Sequence, residues 1–373
     1  MMRTKLTELC YIQYGYAFDS KKFTEDSNCI PLVRIRDVKR GFSETYYSGE
    51  YPKEYIVQKN DLLVGMDGEF NIARWQSQDA LLNQRVCRVI AKQGVCEDYL
   101  RFALTVELKI IENRTAFVTV KHLSAKELNK IELDIPEYGV QERIAKTLII
   151  IEQVLCSRKQ QLQQLDELVK ARFAELFGNP VKNDMGWKCK PLNDVCDGIG
   201  DGLHGTPEYD DNGGYPFING NNLIDGEIVI TSATKMVSEE TYKKHIIDIS
   251  PNAILISING TLGKLAFYNG EKVMLGKSAC YCNLKTNINK FFVYGVMKSD
   301  SFAEFLDNSS TKSTIKNVGL KAMREYKLIL PPTELQEQFA TFVKQVDKSK
   351  VVVQKALDEA QTLFDSLMQE YFG

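Results

Sequence analysis

Several short stretches of this 373-residue sequence carry side chains whose types and spacing suggest chemistry. Gly200-Asp201-Gly202-Leu203-His204-Gly205 has the GxGxxG spacing of a dinucleotide-binding turn, whose backbone N–H groups cradle a pyrophosphate. That chemistry needs a strand before the glycines and a helix after them. The next residues are Thr206-Pro207-Glu208-Tyr209-Asp210-Asp211-Asn212-Gly213-Gly214, which is turn material, so a nucleotide site is not expected. The sequence also lacks a phosphate-binding GxxxxGK[ST], an HExxH and a GxSxG. Asn179-Pro180-Val181 departs from the Asn/Asp-Pro-Pro-aromatic signature of amino-methyltransferases. Nine cysteines without a CxxC pair, together with three histidines, give no metal-site pattern and read as reduced thiols. No catalytic constellation, cofactor or metal is expected.

The residues that could bind are a different set. Arg34, Arg36, Lys39 and Arg40 fall within seven positions, and at strand spacing Arg34 and Arg36 share one face. Arg74, Gln84, Arg85 and Arg88 form a second polar-basic group. Further along, Asn219, Asn221, Asn222, Lys264, Lys277 and Ser278 form a softer one. Such side chains hold phosphates or read guanine and adenine edges. The competing reading of each is a solvated surface face.

What must position them is a long internal repeat. Ile135-Pro136 followed by Gln141-Glu142-Arg143-Ile144-Ala145 recurs as Leu330-Pro331 followed by Gln336-Glu337-Gln338-Phe339-Ala340. Residues 120–178 align without a gap on 315–373, at an offset of 195 and with twelve identities, Lys121/Lys316 among them. Both copies keep a 4-3 apolar spacing. Ile144, Leu148, Ile151, Leu155, Leu162 and Leu165 mark it in the first copy, and Phe339, Val343, Val346, Val353, Leu357, Phe364 and Leu367 in the second. Sustained for more than four heptads, that spacing is a coiled-coil seam, which neither helix can bury alone. The spacing predicts two helices of about 37 residues, each roughly 55 Å long, that pack on each other. Pro136 and Pro331 suit their entries, Gly178 and Gly373 their C-terminal caps.

Upstream of each helix lies a mixed stretch rich in turn residues. Leu62-Leu63-Val64 before Asp67-Gly68, and Ala253–Ile258 before Asn259-Gly260, read as buried strands entering tight turns. Tyr99–Asn113 and Lys290–Leu306 read as helices. The expected fold is α+β: globule 1–137, spacer helix 138–178, linker 179–186, globule 187–332 and spacer helix 333–373. Each globule balances its charges, 20 basic against 20 acidic in the first and 16 against 16 in the second, and the chain carries a net charge of -2. Overall charge alone therefore gives no sign of nucleic acid; any such contact rests on local patches. No signal peptide or apolar run long enough to span a membrane is read, so a cytoplasmic protein is expected.

With these residues in view, the chain resembles the specificity (S) subunits of type I restriction–modification systems. The resemblance rests on the globule–helix–globule–helix order and on Tyr14-Gly15-Tyr16-Ala17-Phe18-Asp19-Ser20 through Ile30–Val38. Asp201-Gly202-Leu203-His204-Gly205-Thr206-Pro207 through Tyr215–Asn219, and the Pro-then-Gln-Glu helix entries, add to it. It covers essentially the whole chain. It implies that each globule is a target recognition domain reading half of a split, asymmetric site in double-stranded DNA. It implies that the helices pair as an antiparallel coiled coil about a pseudo-twofold axis, set the spacing and dock two methyltransferase (M) subunits. Adenine-N6 methylation would then lie in the M subunits and cleavage in restriction (R) subunits, leaving this subunit non-catalytic. Its DNA-binding candidates are Arg34, Arg36, Arg74, Gln84, Arg85, Lys121, Asn219, Asn221, Asn222, Lys264, Lys277, Ser278 and Lys316. The alternatives are a methylation-only or type IIB-like recognition subunit, or a coiled-coil scaffold without a DNA role.

Overall fold

The computed structural model describes residues 3–114 and 122–373. They divide into two compact units, one formed by residues up to Lys159 together with Lys355–Gly373, the other by Gln160–Gln354.

Unit 1 runs through β1 (Arg3–Lys5), β2 (Cys10–Tyr14), β3 (Ile30–Val33), helix α1 (Ile35–Arg40), β4 (Leu62–Gly65), β5 (Asn71–Arg74), β6 (Ala80–Leu82), β7 (Val86–Ala91), helix α2 (Glu97–Arg114) and β8 (Glu132–Asp134). Its main antiparallel sheet has the order β2-β7-β4-β5. Beside it β3 runs parallel to β6, and β1 pairs antiparallel with β8. Strand β4 explains the unbroken apolar run. Leu62 and Val64 pack with Tyr99, Leu100 and Leu104 of α2, while Leu63 joins Val33, Trp75, Leu82 and Val86 on the other face. A strand covered on both faces is apolar at every position rather than at every second one.

Unit 2 contains β9 (Lys188–Pro191), β10 (Cys196–Asp201), β11 (Tyr215–Ile218), β12 (Ala253–Ser257), β13 (Leu265–Phe267), β14 (Met274–Leu275), β15 (Ala279–Leu284), helices α3 (Lys290–Met297) and α4 (Asp300–Ser309), and β16 (Lys327–Leu330). Its sheet order is β10-β15-β12-β13, β11 runs parallel to β14, and β9 pairs with β16. The frame therefore follows the same path as in unit 1. Strand β12 is again covered twice, Ile254 and Ile256 packing with Phe292 and Val293, and Leu255 with Ile218, Leu223 and Leu275.

Two long helices, Tyr138–Phe177 and Thr333–Phe372, are each 40 residues, about 60 Å. Both their starts and their ends keep the 195-residue offset. Every seam residue named above is buried or half-buried, whereas Ile150, Val154, Leu168, Val351, Val352 and Leu363 on the same helices are exposed. Within unit 2, Phe173 and Phe177 of the first helix meet Phe339 of the second at ring distances of 5.5 Å each, and Lys350 Nζ lies 2.6 Å from Asp166. Within unit 1, Phe372 packs on Tyr99 at 5.1 Å and Phe364 on Phe102 at 6.2 Å. The buried aromatics Phe173 and Phe177 stand outside the 4-3 register and were invisible to it.

One device ties each long helix to its own globule. Gln141, 1% exposed, donates through Nε2 to the Pro136 carbonyl at 2.8 Å and accepts at Oε1 from the Cys96 N–H at 2.8 Å, just before α2. Gln336, also 1% exposed, donates to the Pro331 carbonyl at 2.9 Å and accepts from the Asn289 N–H at 3.0 Å, just before α3. Each buried glutamine satisfies a part-buried N–H and a carbonyl at the helix entry at once, which accounts for its recurrence after the proline.

Two expectations are corrected. Arg34 and Arg36 do not share a strand face, because Asp37 accepts the Arg34 N–H at 2.9 Å and the chain turns into α1 directly after Arg34. The helix expected over 290–306 is two helices, broken at Ser299, whose hydroxyl donates to the Val296 carbonyl at 2.6 Å. The polar stretch 179–186, expected as a linker, is tied by hydrogen bonds: Asn179 N–H donates to Asp184 at 2.9 Å, and Trp187 Nε1 donates to the Phe177 carbonyl at 3.0 Å. Gly178 ends the first long helix at φ +72°, the left-handed conformation that a C-terminal cap requires.

Candidate nucleic-acid interface

In unit 1 the parallel pair β3 and β6 ends with Val33 beside Leu82, so Arg34 and the Asn83-Gln84-Arg85 turn leave the same edge. The turn is stitched down from three sides. Val86 N–H donates to the Asn83 carbonyl at 2.9 Å, Tyr16 N–H to Leu82 at 2.9 Å, and Met66 N–H to Arg85 at 3.0 Å. Gly15 passes so close that a Cβ there would sit 2.0 Å from the Asn83 carbonyl oxygen. Asn83 is nearly buried and accepts the Gln84 N–H at its own Oδ1, 2.9 Å away. What the turn shows to solvent is therefore Gln84 and Arg85, with Arg34 and Arg36 exposed next to it. Arg36 donates to Thr45 Oγ1 at 3.3 Å.

Unit 2 builds the same edge from other residues. Strands β11 and β14 end with Ile218 beside Leu275, followed by Asn219 and by Gly276-Lys277-Ser278. Asn219 N–H donates to Asn222 Oδ1 at 3.0 Å, the counterpart of the Arg34–Asp37 bond. Ser278 Oγ donates to Asn219 Oδ1 at 2.9 Å and accepts from the Gly220 N–H at 2.9 Å. Asn222 Nδ2 donates to the Val229 carbonyl and to Thr234. Asn219, Asn222 and Ser278 thus hold the loops together, while Asn221 and Lys277 are the exposed members. Lys264 follows the tight turn after β12, where its N–H donates to Ser257 Oγ at 2.8 Å, and Ser257 lies against Gly220.

Three candidates part from these clusters. Arg74 is at the opposite end of β5, where it pairs with Leu62, and its guanidinium is held by Glu97 at 2.7 Å and Asp98 at 2.8 Å. Burial disfavours its charge, but the bonds to Asp98 and Glu97 outweigh that and raise its pKa above the ordinary value. Arg88 likewise spends its fork on Asp61 and Gln13. Lys316 is exposed but bonded to Asp307 at 2.6 Å, although its carbonyl anchors the Gly260 N–H beside the Asn259 turn. Lys121 lies outside the described residues.

Residues that the sequence reading did not count among the binding candidates complete each edge. In unit 1, Asp67 forms an ion pair with Arg85, Oδ2 to Nε at 3.4 Å, and His122 bonds both Asp67 and Arg85. In unit 2, His204 Nε2 lies 2.7 Å from Asp201, and Asn259 donates to Asn317 at 3.3 Å. The Asp67-Gly68 and Asn259-Gly260 turns were the available signal; what they would fold against was not. Residues 202–214 after the GxGxxG glycines form no helix, and Gly202 abuts the Leu275 carbonyl, which settles that motif as a close crossing of backbones. Among the described residues no group of three His, Cys, Asp or Glu is placed to hold a metal. Among them, too, no helix is long and apolar enough to cross a membrane.

A family model described as the type I restriction modification DNA specificity domain matches residues 1–167 and again 185–360. The chain belongs to the specificity subunits of type I restriction–modification systems. It is 28% identical over 404 residues to the EcoBI specificity subunit of Escherichia coli, covering 100% of this chain and 85% of that one. It is 19% identical over 336 residues to the MjaVIII specificity subunit of Methanocaldococcus jannaschii, covering 85% and 79%. The fold is that of the crystallised type I S subunit from M. genitalium, with a TM-score of 0.62 at 16% identity, covering 100% and 96%. Specificity subunits are non-catalytic members of their complexes.

Proposed function

We propose that this specificity subunit reads a bipartite, asymmetric site in double-stranded DNA. Globule 1–137 binds one half-site through Arg34, Arg36, Gln84 and Arg85. Globule 187–332 binds the other through Asn221, Lys264 and Lys277, on loops held by Asn219, Asn222 and Ser278. The carrying observation is that one strand-and-turn frame presents two different sets of exposed polar side chains. Equivalent frames suit equivalent seating on DNA, and unequal side chains suit unequal half-sites.

The segments 138–178 and 333–373 pair as an antiparallel coiled coil across a pseudo-twofold repeat. They act as a ruler and dock two M subunits, with R subunits added to the assembly. Equal lengths of 40 residues and a shared apolar register support that reading. The balanced charge of each globule means that this subunit alone grips duplex DNA weakly and that M subunits complete the hold.

The test is to sequence methylated positions in the DNA of cells making the subunit with its M subunits. A bipartite motif is expected. Inserting seven residues after Leu162, and seven at the facing position of the second helix, is expected to lengthen the gap between the half-sites and leave both half-site sequences unchanged. An unchanged gap with methylation retained would refute the ruler.

A further inference from the structure

We propose that Arg85 fixes one base pair of the half-site bound by the first globule by reading a guanine edge, and that Asp67 and His122 are positioning residues for its guanidinium. The proposal rests on the DNA-reading role above and adds to it a base, a reader and the groups that aim the reader.

The backbone under Arg85 is fixed on three sides, so its Cα cannot drift along the duplex. Its side chain remains 49% exposed, while that of Asp67 is 21% exposed. Nε, 3.4 Å from Asp67 Oδ2, ties down the inner corner of the guanidinium. Nη1 lies 3.3 Å from His122 Nδ1. The chain brings Asp67 and His122 together by an antiparallel bridge, fastened by the Leu123 N–H on the Met66 carbonyl at 2.7 Å. A guanidinium oriented by Asp67 at Nε and by His122 at Nη1 is a planar fork of donors, its Nη1 exchanging the imidazole for a base on binding. That is the shape that matches O6 and N7 of guanine in the major groove.

His122 Nδ1 faces both Asp67 Oδ1 and Arg85 Nη1. The imidazole thus stands between the carboxylate and the guanidinium and holds the two in one arrangement.

The corresponding turn of unit 2 carries Lys277 and Ser278, an ammonium and a hydroxyl already bonded to Asn219. It has no planar fork, so the guanine assignment is specific to the first globule.

The experiment uses the full chain co-produced with its M subunits in cells lacking that methylation, and reads methylated sites across the genome. It is paired with competition binding of the purified complex to duplexes in which each base pair of the site is changed in turn. Arg85→Lys keeps the charge and loses the fork. It is expected to reduce discrimination roughly tenfold or more at a single G·C pair in one half-site, leaving the other half-site and the gap unchanged. Asp67→Asn and His122→Gln are expected to weaken discrimination at that same pair. Adding either to Arg85→Lys should cost nothing further at that pair, which a general loosening of the loop would not reproduce.

Arg85→Lys leaving the motif intact, altering both half-sites, or relaxing an A·T pair would overturn the proposal. So would additive losses in the double variants. A wild-type complex that methylates without sequence preference would remove the DNA-reading role and this inference with it. A wild-type bipartite motif left intact by Arg85→Lys would remove the inference alone.

Discussion

In unit 1 the turn after β6 presents Gln84 and Arg85 beside the exposed Arg34; in unit 2 the turn after β14 presents Lys277 beside loops closed by Asn219, Asn222 and Ser278. The strand path beneath is shared. The comparison separates two kinds of constraint. Backbone bonds such as Tyr16 N–H to Leu82 and Leu203 N–H to Leu275 recur and build the edge. The side chains on that edge do not recur. A unit of this fold can therefore change what its edge presents without changing how it folds, as long as its exposed residues carry none of the frame's bonds. Unit 1 meets that condition more fully than unit 2, where Asn219 and Ser278 serve the frame.

Three comparisons between the units can sharpen or break this picture, and each unit supplies its own reporter because Trp75 lies in the first and Trp187 in the second. The largest effect is expected at the aromatic anchors. Phe177, with its ring 4.8 Å from Phe292, is fully buried, and Phe177→Ala should cost about 3–5 kcal/mol in the Trp187 transition during denaturant unfolding. Its counterpart Phe372 is only half-buried, so Phe372→Ala should cost less than half of that, in the Trp75 transition. Equal losses would mean that the two helix ends are anchored alike.

The glutamines come next. Gln141→Ala and Gln336→Ala each strand a carbonyl and a part-buried N–H and empty a buried site, so each should cost about 1–3 kcal/mol, in its own unit only. Clearly unequal losses would break the equivalence of the two anchors.

The smallest effect carries opposite signs. Glu152 holds Arg101 with bonds of 3.0 and 2.6 Å, and the Arg101 side chain is only 14% exposed, so Glu152→Gln should destabilise unit 1 by about 1 kcal/mol or more. The matching position in the second helix is Asp347. Burial, and the nearby Asp166 charge, push its carboxyl above the ordinary range, with Lys350 only partly offsetting them. An acid whose folded pKa is raised loses stability as pH climbs through its unfolded value and on to the folded one. Asp347→Asn should therefore be slightly stabilising near pH 7, by about 0.3 kcal/mol or less because the group is half-exposed, and neutral below about pH 4. Thermal melts at both pH values, following the Trp187 signal, would check the sign.

Much of the plan was legible in the sequence. The offset of 195, the prolines and the heptads located two helices whose observed lengths exceed the expected ones by only three residues. The buried strands Leu62–Val64 and Ala253–Ile258 were read for the right reason. The likeness of the two frames was not legible outside the helices, because a strand covered on both faces needs only apolar residues of some kind, and turns need only compatible backbone. Arg34 and Arg74 show the limit for sites. Periodicity cannot anticipate that Asp37 will cap a helix after Arg34, or that Glu97 and Asp98 will occupy Arg74. Charge type is visible in a sequence; whether the charge is already engaged depends on partners the fold brings up, for Arg74 from more than twenty positions away.

Residues 355–373 complete unit 1, yet a ribosome reaches them only after all of unit 2 has been made. Unit 2, Gln160–Gln354, is continuous in the chain and can close as soon as it has emerged. The β1–β8 pairing and the first-globule sheet form earlier, but Tyr99 and Phe102 must wait for Phe372 and Phe364 to cover them. The order of maturation is thus the reverse of the order of synthesis. During that interval the first half-built unit holds an open apolar socket, and residues 355–373 are the plug that fits it.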